Sequence, residues 1–316
     1  MSVALRLPEL FLSHQGKLSD KWEHYLSIYD AELRVFIERG QPVTLLEIGV
    51  QNGGSLEVWA RYLPPGSKII GVDIDPNVAA LSFSDNIEIH ILDAGNEKHL
   101  RDVFGSRSFD IIVDDGSHRS GDIIATFRAL FGNLSEDGVY LIEDLHASYW
   151  DSHEGGFRLK TSSMEYLKGL VDGLNIDHVQ GDIDAGTMQE LSLINQSVSR
   201  IAFYDSVAVI RKLPARKSTA YRRVFTGGAA DVGSPLFHLP AAELQTAIIS
   251  AGSHREIEQS VIDNTEVHRL RVIALEAERN ALQRQLRQAL QRGSLRHALK
   301  RASHLIENAV RTLRRA

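Results

Sequence analysis

Leu45-Leu-Glu-Ile-Gly-Val-Gln-Asn-Gly-Gly-Ser55 is an apolar run that breaks into a glycine-rich turn and then opens a helical pattern. Glycines allow a tight turn and let a ligand approach the backbone. The acid at Glu47 followed by Gly49 and Gly53 differs from the G-x-G-x-x-G of dinucleotide sites, because the third, close-packing glycine is missing. A pyrophosphate favours the positive end of a helix, whereas a cationic cofactor is better served by an acid such as Glu47. Taken alone, the turn also reads as a plain strand–helix connector, with Ser55 opening the helix.

Outward from this turn, short apolar runs alternate with helical segments. Strands are expected at 43–48, 68–72, 87–92, 109–113 and 138–142, and helices near 55–62, 76–81, 98–104 and 120–130. Apolar strands separated by helices imply an α/β fold, a Rossmann-like doubly wound and mostly parallel sheet covered on both faces. Residues 201–204 and 207–210, split by Asp205 and Ser206, read as a closing antiparallel hairpin. The excursion 151–199 before it carries one clear helix around 163–174 and lies where a substrate lid would sit.

Upstream, Trp22, Tyr25, Leu26, Tyr29, Leu33, Phe36 and Ile37 recur at helical spacing, with Ser19 or Asp20 as the expected cap and Gly40 and Pro42 as the stop. The expected organisation is an N-terminal helical region (1–42), the catalytic α/β domain (43–212), a linker or peripheral segment (213–263) and a helical coiled-coil tail (264–316). In the tail, Val272, Leu275, Leu282, Leu286 and Ala289 follow short heptads interrupted by Arg279. From Arg279 to the end, ten Lys and Arg face one acid, Glu307, while the other 278 residues hold 25 basic and 40 acidic residues. That asymmetry points to a separate interaction segment: homo-oligomerisation through the heptads, or peripheral contact of a basic helical face with acidic lipid at the inner membrane face. The acidic body argues against nucleic acid as the main partner. The absence of cysteine excludes disulfides and thiolate chemistry, and suits the cytoplasm. No apolar run approaches a membrane span, and residues 1–12 do not read as a secretory signal.

Acids follow the expected strand ends. Asp73 ends the second strand, where a carboxylate accepts from ribose hydroxyls in nucleotide-type folds. Asp93 ends the third, within reach of an adenine amine, and Asp75 reads equally well as a helix cap. Asp114-Asp-Gly-Ser-His118 ends the fourth strand and Glu143-Asp144 the fifth. Two acid pairs meeting at the ligand crevice repel unless a cation lies between them. Carboxylates without cysteine favour Mg2+ or Mn2+. His118 is placed to face a substrate, and imidazole is the commonest general base.

Glu47 to Ser55, Asp114 to His118, and Ile142-Glu-Asp-Leu-His-Ala-Ser-Tyr-Trp150 resemble the metal-dependent sugar O-methyltransferases of macrolide biosynthesis, the mycinamicin and macrocin type. The wider group includes cephalosporin hydroxylase-like and rhamnosyl O-methyltransferase proteins. The likeness spans roughly residues 15–212, including Asp20-Lys-Trp-Glu-His-Tyr25 and the helix beginning at Glu165. It implies S-adenosylmethionine (SAM) as methyl donor, with Glu47, Gly49, Gly53, Ser55, Asp73, Asp93 and Asp114 around it. It also implies a divalent metal on Asp115, Glu143 and Asp144, His118 as the catalytic base, and a sugar-containing acceptor such as a glycoside, glycolipid or glycan. The long N-terminal extension of the macrolide enzymes is absent here, and the C-terminal coil is foreign to their pattern. Two alternatives stay open: a metal-dependent oxidoreductase or hydroxylase, which would need two histidines and a carboxylate on iron, and a non-catalytic scaffold on the same fold.

Overall fold

The computed structural model describes residues 6–179 and 182–218. The chain divides into units Met1–Ala220 and Tyr221–Ala316. The second unit lies outside the described residues, and with it the expected coiled-coil tail and nearly all of the expected linker.

The first unit runs α1 (Leu7–Leu12), α2 (Glu23–Arg39), β1 (Thr44–Ile48), α3 (Gly54–Tyr62), β2 (Lys68–Asp73), β3 (Ile87–Ile91), α4 (Glu97–Phe104), β4 (Phe109–Asp114), α5 (Ser120–Leu130), β5 (Leu134–Ile142), α6 (Ser163–Leu174), α7 (Ala185–Ser197), β6 (Val198–Phe203) and β7 (Ala208–Lys212). The seven strands are ordered β3-β2-β1-β4-β5-β7-β6. The first five are parallel, and β7 joins β5 antiparallel with β6 outside it. This is a Rossmann-like sheet with a closing hairpin, and its order reverses between β1 and β4. In such sheets the crevice outside the carboxyl ends at the reversal receives ligands.

Strand alternation sorts the core into two layers. Leu45, Ile69, Ile111, Val113, Val139 and Leu141 face α1, α2 and α3. Leu46, Ile70, Val72, Ile112, Tyr140 and Ile142 face α4, α5 and α6. Ile69, Leu45, Ile111 and Val139 stand in register across four strands and are fully buried. Each such side chain contributes about 1.5–3 kcal/mol of burial free energy. Because Leu7, Leu10, Tyr25, Tyr29 and Leu33 belong to the same layer, the N-terminal helices share the core of the sheet.

Several boundaries differ from the sequence reading. Helix α2 starts at Glu23 with Trp22 in the cap position and no side-chain cap, and Gly40 ends it in the left-handed region. Trp22, expected in the apolar stripe, is 56% exposed. The stretch between α1 and α2 is mostly irregular and runs across the sheet's ligand end, where Leu18 O accepts from the Gly54 amide at 3.1 Å. Strand β5 begins at Leu134 rather than 138, with a register shift opposite Phe109 to Ile111. Where a helix is expected near 76–81, Pro76–Ala80 form a 3-10 turn rather than an α-helix, capped by the Asp75 side chain on the Asn77 amide. Helix α7 was not expected from the sequence; Asp184 caps it.

Candidate active site

A cavity of about 620 Å3 opens at the carboxyl ends of β1, β2 and β4. Gly49, Ser55, Asp73, Asp93, Asp114, Asp115, His118 and Asp144 line it, and Leu18 to Lys21 close one side. Glu47, Gly53 and Glu143, also expected in the site, do not line this cavity.

The glycine turn is tight for internal reasons. Gly49 has φ +90, and a Cβ there would lie 1.9 Å from the Asp115 carbonyl oxygen. Only glycine lets the β1 turn approach the end of β4 so closely. The Asp73 Oδ2 accepts from the Val50 and Gln51 amides at 2.8 and 2.9 Å, and Oδ1 accepts from the Asp75 amide. Asp73 therefore braces the turn while remaining in the cavity wall. Asp93 accepts from the Gly95 amide at 2.9 Å.

Alternation along β1 and beyond the ends of β4 and β5 decides where the acids go. Glu47 sits on the Leu45 face, toward α3, where Ser55 Oγ donates at 2.8 Å and Trp59 Nε1 at 3.2 Å to its Oε2. The backbone ladder carries on past both strands, with Asp115 N on Ile48 O and Glu143 N on Asp114 O, each at 2.9 Å. Glu143 thus falls on the Leu141 face beside Glu47. Asp114 falls on the opposite face, where the Tyr140 hydroxyl donates to it at 3.3 Å. Burial pushes the Asp114 carboxyl up to about 7, against that hydrogen bond.

Between the acids stands Lys21, whose role the sequence did not reveal. Its side chain is 3% exposed, and Nζ lies 2.7 Å from Glu143 Oε1 and 3.5 Å from Glu47 Oε1, and also donates to Asp115 Oδ2. Burial would lower the ammonium's pKa, but Glu143, Asp115 and Glu47 outweigh it and hold it well above the ordinary value. Burial likewise raises Glu47 and Glu143 above the usual carboxylate range, with Lys21 pulling both back.

Asp115 belongs to two sets of three whose ligand atoms all lie within 4.8 Å of one another: Glu47–Asp115–Glu143, deep, and Asp115–His118–Asp144, partly exposed. Lys21 fills the deep set. The outer set has His118 Nε2 at 3.9 Å from Asp115 Oδ1 and 3.5 Å from Asp144 Oδ2. The Tyr25 hydroxyl donates to Asp144 Oδ1 at 2.6 Å, and burial with that contact keeps the phenol protonated far above its ordinary range. His118 and Asp144 have φ 57 and 52, left-handed values that cost a non-glycine residue about 1 kcal/mol or more and cluster at working sites. The three acids expected for a metal span the two sets: Asp115 belongs to both, Asp144 to the outer one with His118, and Glu143 to the deep one beside Lys21. The carboxylate oxygens of the outer set fit Mg2+ or Mn2+, with the His118 imidazole beside them and not among the donors. The buried Glu47 Oε1, with no hydrogen-bond partner among the described residues, marks the cluster as built around positive charge.

Residues 46–145 match a family model described as a methyltransferase domain. The chain is 34% identical over 207 residues to an 8-demethyl-8-alpha-L-rhamnosyl tetracenomycin-C 2'-O-methyltransferase of Streptomyces olivaceus, covering 61% of this chain and 52% of that protein. It is 29% identical to a mycinamicin VI 2''-O-methyltransferase of Micromonospora griseorubida, covering 58% of this chain and 47% of that protein. Among solved structures, the mycinamycin-pathway methyltransferase MycE, in complex with Mg and SAH, is similar with TM-score 0.54 and 26% identity, over 68% of this chain and 56% of that one. The chain spans about half the length of the curated relatives it matches. Over residues 46–145 the chain is similar to a methyltransferase domain, and its Rossmann-like sheet and described core are similar to those of the sugar O-methyltransferases it matches.

Proposed function

We propose that the chain is a SAM-dependent O-methyltransferase, assisted by a divalent cation, that methylates a sugar hydroxyl. The observation that carries this reading is the outer set, Asp115, His118 and Asp144, at the rim of the cavity walled by the glycine turn, Asp73 and Asp93. When bound, SAM supplies an electrophilic methyl, and Mg2+ or Mn2+ supplies charge that stabilises an ionising hydroxyl. Asp115 and Asp144 would hold the cation, and Tyr25 fixes the second of them by donating to Oδ1. His118 Nε2 takes the hydroxyl proton. Its left-handed backbone turns the ring back over the acids of β4 and β5, where an acceptor oxygen would lie. The Leu18–Lys21 segment lines that side of the cavity.

An iron hydroxylase finds less support. Each compact set among the described residues holds at most one imidazole, and His146 approaches Asp144 through the other carboxylate oxygen, at 3.9 Å. No helix among the described residues is long and apolar enough to cross a membrane. A cytoplasmic location belongs to this proposal, while the assembly and lipid contacts expected of the tail fall outside the described residues.

Transfer of labelled methyl from SAM to a panel of glycosides, with and without chelator, tests the reading. Transfer that stops in chelator and returns with Mg2+ or Mn2+ supports it. Full activity in excess chelator removes the metal, and transfer to none of the glycosides removes the sugar acceptor.

A further inference from the structure

Beside the outer set runs a row of aromatic rings that the chemistry above does not use. Trp22 meets His146 edge-on with centroids 5.8 Å apart, His146 meets Trp150 at 4.8 Å, and Trp150 meets His153 at 5.6 Å. The indoles are about half exposed, 56% for Trp22 and 49% for Trp150. The row passes beside the outer set at its middle ring: His146 Nδ1 lies 3.9 Å from Asp144 Oδ1 and 3.0 Å from Ser206 Oγ. It also joins two segments distant in sequence, the N-terminal stretch before α2 and the turn after β5. Both are held firmly, Tyr25 by Asp144 and Leu145 N by Ser206 O at 2.9 Å.

Half-exposed indoles are costly in water and common where a ligand with one apolar face docks. A pyranose has such a face in its axial C–H bonds, and its hydroxyl edge suits imidazoles. The row contains no Lys or Arg, and Lys21 is engaged by Asp115 and Glu143. At its His146 end the row borders the Asp144 carboxylate, which disfavours an anionic ligand there. We infer that Trp22 and Trp150, spaced by His146, form the acceptor subsite, stacking the sugar ring and adjoining apolar surface of an uncharged glycoside so that one hydroxyl reaches His118. This rests on the sugar methyltransferase reading and names the residues that would select its acceptor.

The chain has three tryptophans, and the third, Trp59, is buried. Acrylamide quenching of tryptophan emission therefore reads the row without needing turnover. In the full chain, saturating methyl α-L-rhamnopyranoside is expected to protect part of the emission, and the W22F and W150F variants to lose part of that protection. In kinetics with a glycoside acceptor, Trp150→Ala and Trp22→Ala are expected to raise acceptor KM about tenfold, with SAM KM and kcat nearly unchanged and Trp150→Phe largely restoring affinity. Methyl transfer with acceptor KM within about twofold of wild type in both alanine variants overturns the subsite and leaves the methyltransferase reading intact. Absence of transfer from the wild type overturns that reading instead. The subsite is then judged by quenching alone: protection supports it, and no protection overturns it.

Discussion

The Lys21 ammonium lies 2.7 Å from Glu143 Oε1 with both side chains nearly excluded from water, joining the N-terminal segment to the end of the fifth strand. Removing one partner of such a pair leaves an uncompensated buried charge, which typically costs about 3–5 kcal/mol. Lys21→Met is therefore expected to lower the melting temperature strongly, and added Mg2+ or Mn2+ to recover part of the loss by neutralising the bared Glu47, Asp115 and Glu143. Thermal melts with and without the ion check this; a variant as stable as wild type contradicts it.

Asp114 gives the metal-stripped protein a pH dependence. Its folded value, raised by burial to about 7, exceeds the usual carboxylate value of roughly 4. Between those values the native state binds more protons than the unfolded chain, so stability falls as pH rises through the window. Glu143 is shifted in the same direction. Melting in chelator should rise on going from about pH 8 to about pH 5, and Asp114→Asn should flatten that slope. An unchanged slope in the variant would locate the dependence elsewhere.

Asp30 shows the opposite sign. Burial would raise its carboxyl, but the Leu7 amide, Arg34, Arg6 and Tyr62 outweigh it and hold it down to about 2. Its contribution is present above the unfolded value of roughly 4 and is lost as pH falls toward the folded value. The Leu7 amide donates to Oδ1 at 2.9 Å and the Tyr62 hydroxyl at 3.1 Å, so Asp30→Ala leaves buried donors without acceptors. A loss of about 2–3 kcal/mol is expected at neutral pH, with a smaller gap in acid. Denaturant titrations at two pH values measure both.

The parallel sheet was legible because apolar strands alternate with helices, and Gly49 and Gly53 punctuate the first connection. The beginning of β5 was hidden because Ser135, Glu136 and Asp137 are polar residues in a strand that is irregular there. Helix α7 was hidden by its weak apolar stripe, with few buried residues along its length. The acids were legible as a constellation but not in their grouping, since Glu47 and Glu143 meet only through the pleat and the register of three strands. A single lysine in an irregular stretch carries no periodic signal, so Lys21 became visible only when the chain brought it against Asp115 and Glu143, 94 and 122 positions away. Trp22 followed the helical spacing and still lies outside the core, because the helix begins one residue later.

Paired binding and turnover measurements on His118→Ala test the central claim most directly. With the base removed and Asp73, Asp93 and the glycine turn untouched, SAM affinity by calorimetry should stay within about twofold of wild type, while metal-dependent methyl transfer falls about 10²–10⁴-fold. Undiminished transfer, or loss of SAM binding in step with turnover, would contradict a proton-accepting role for His118.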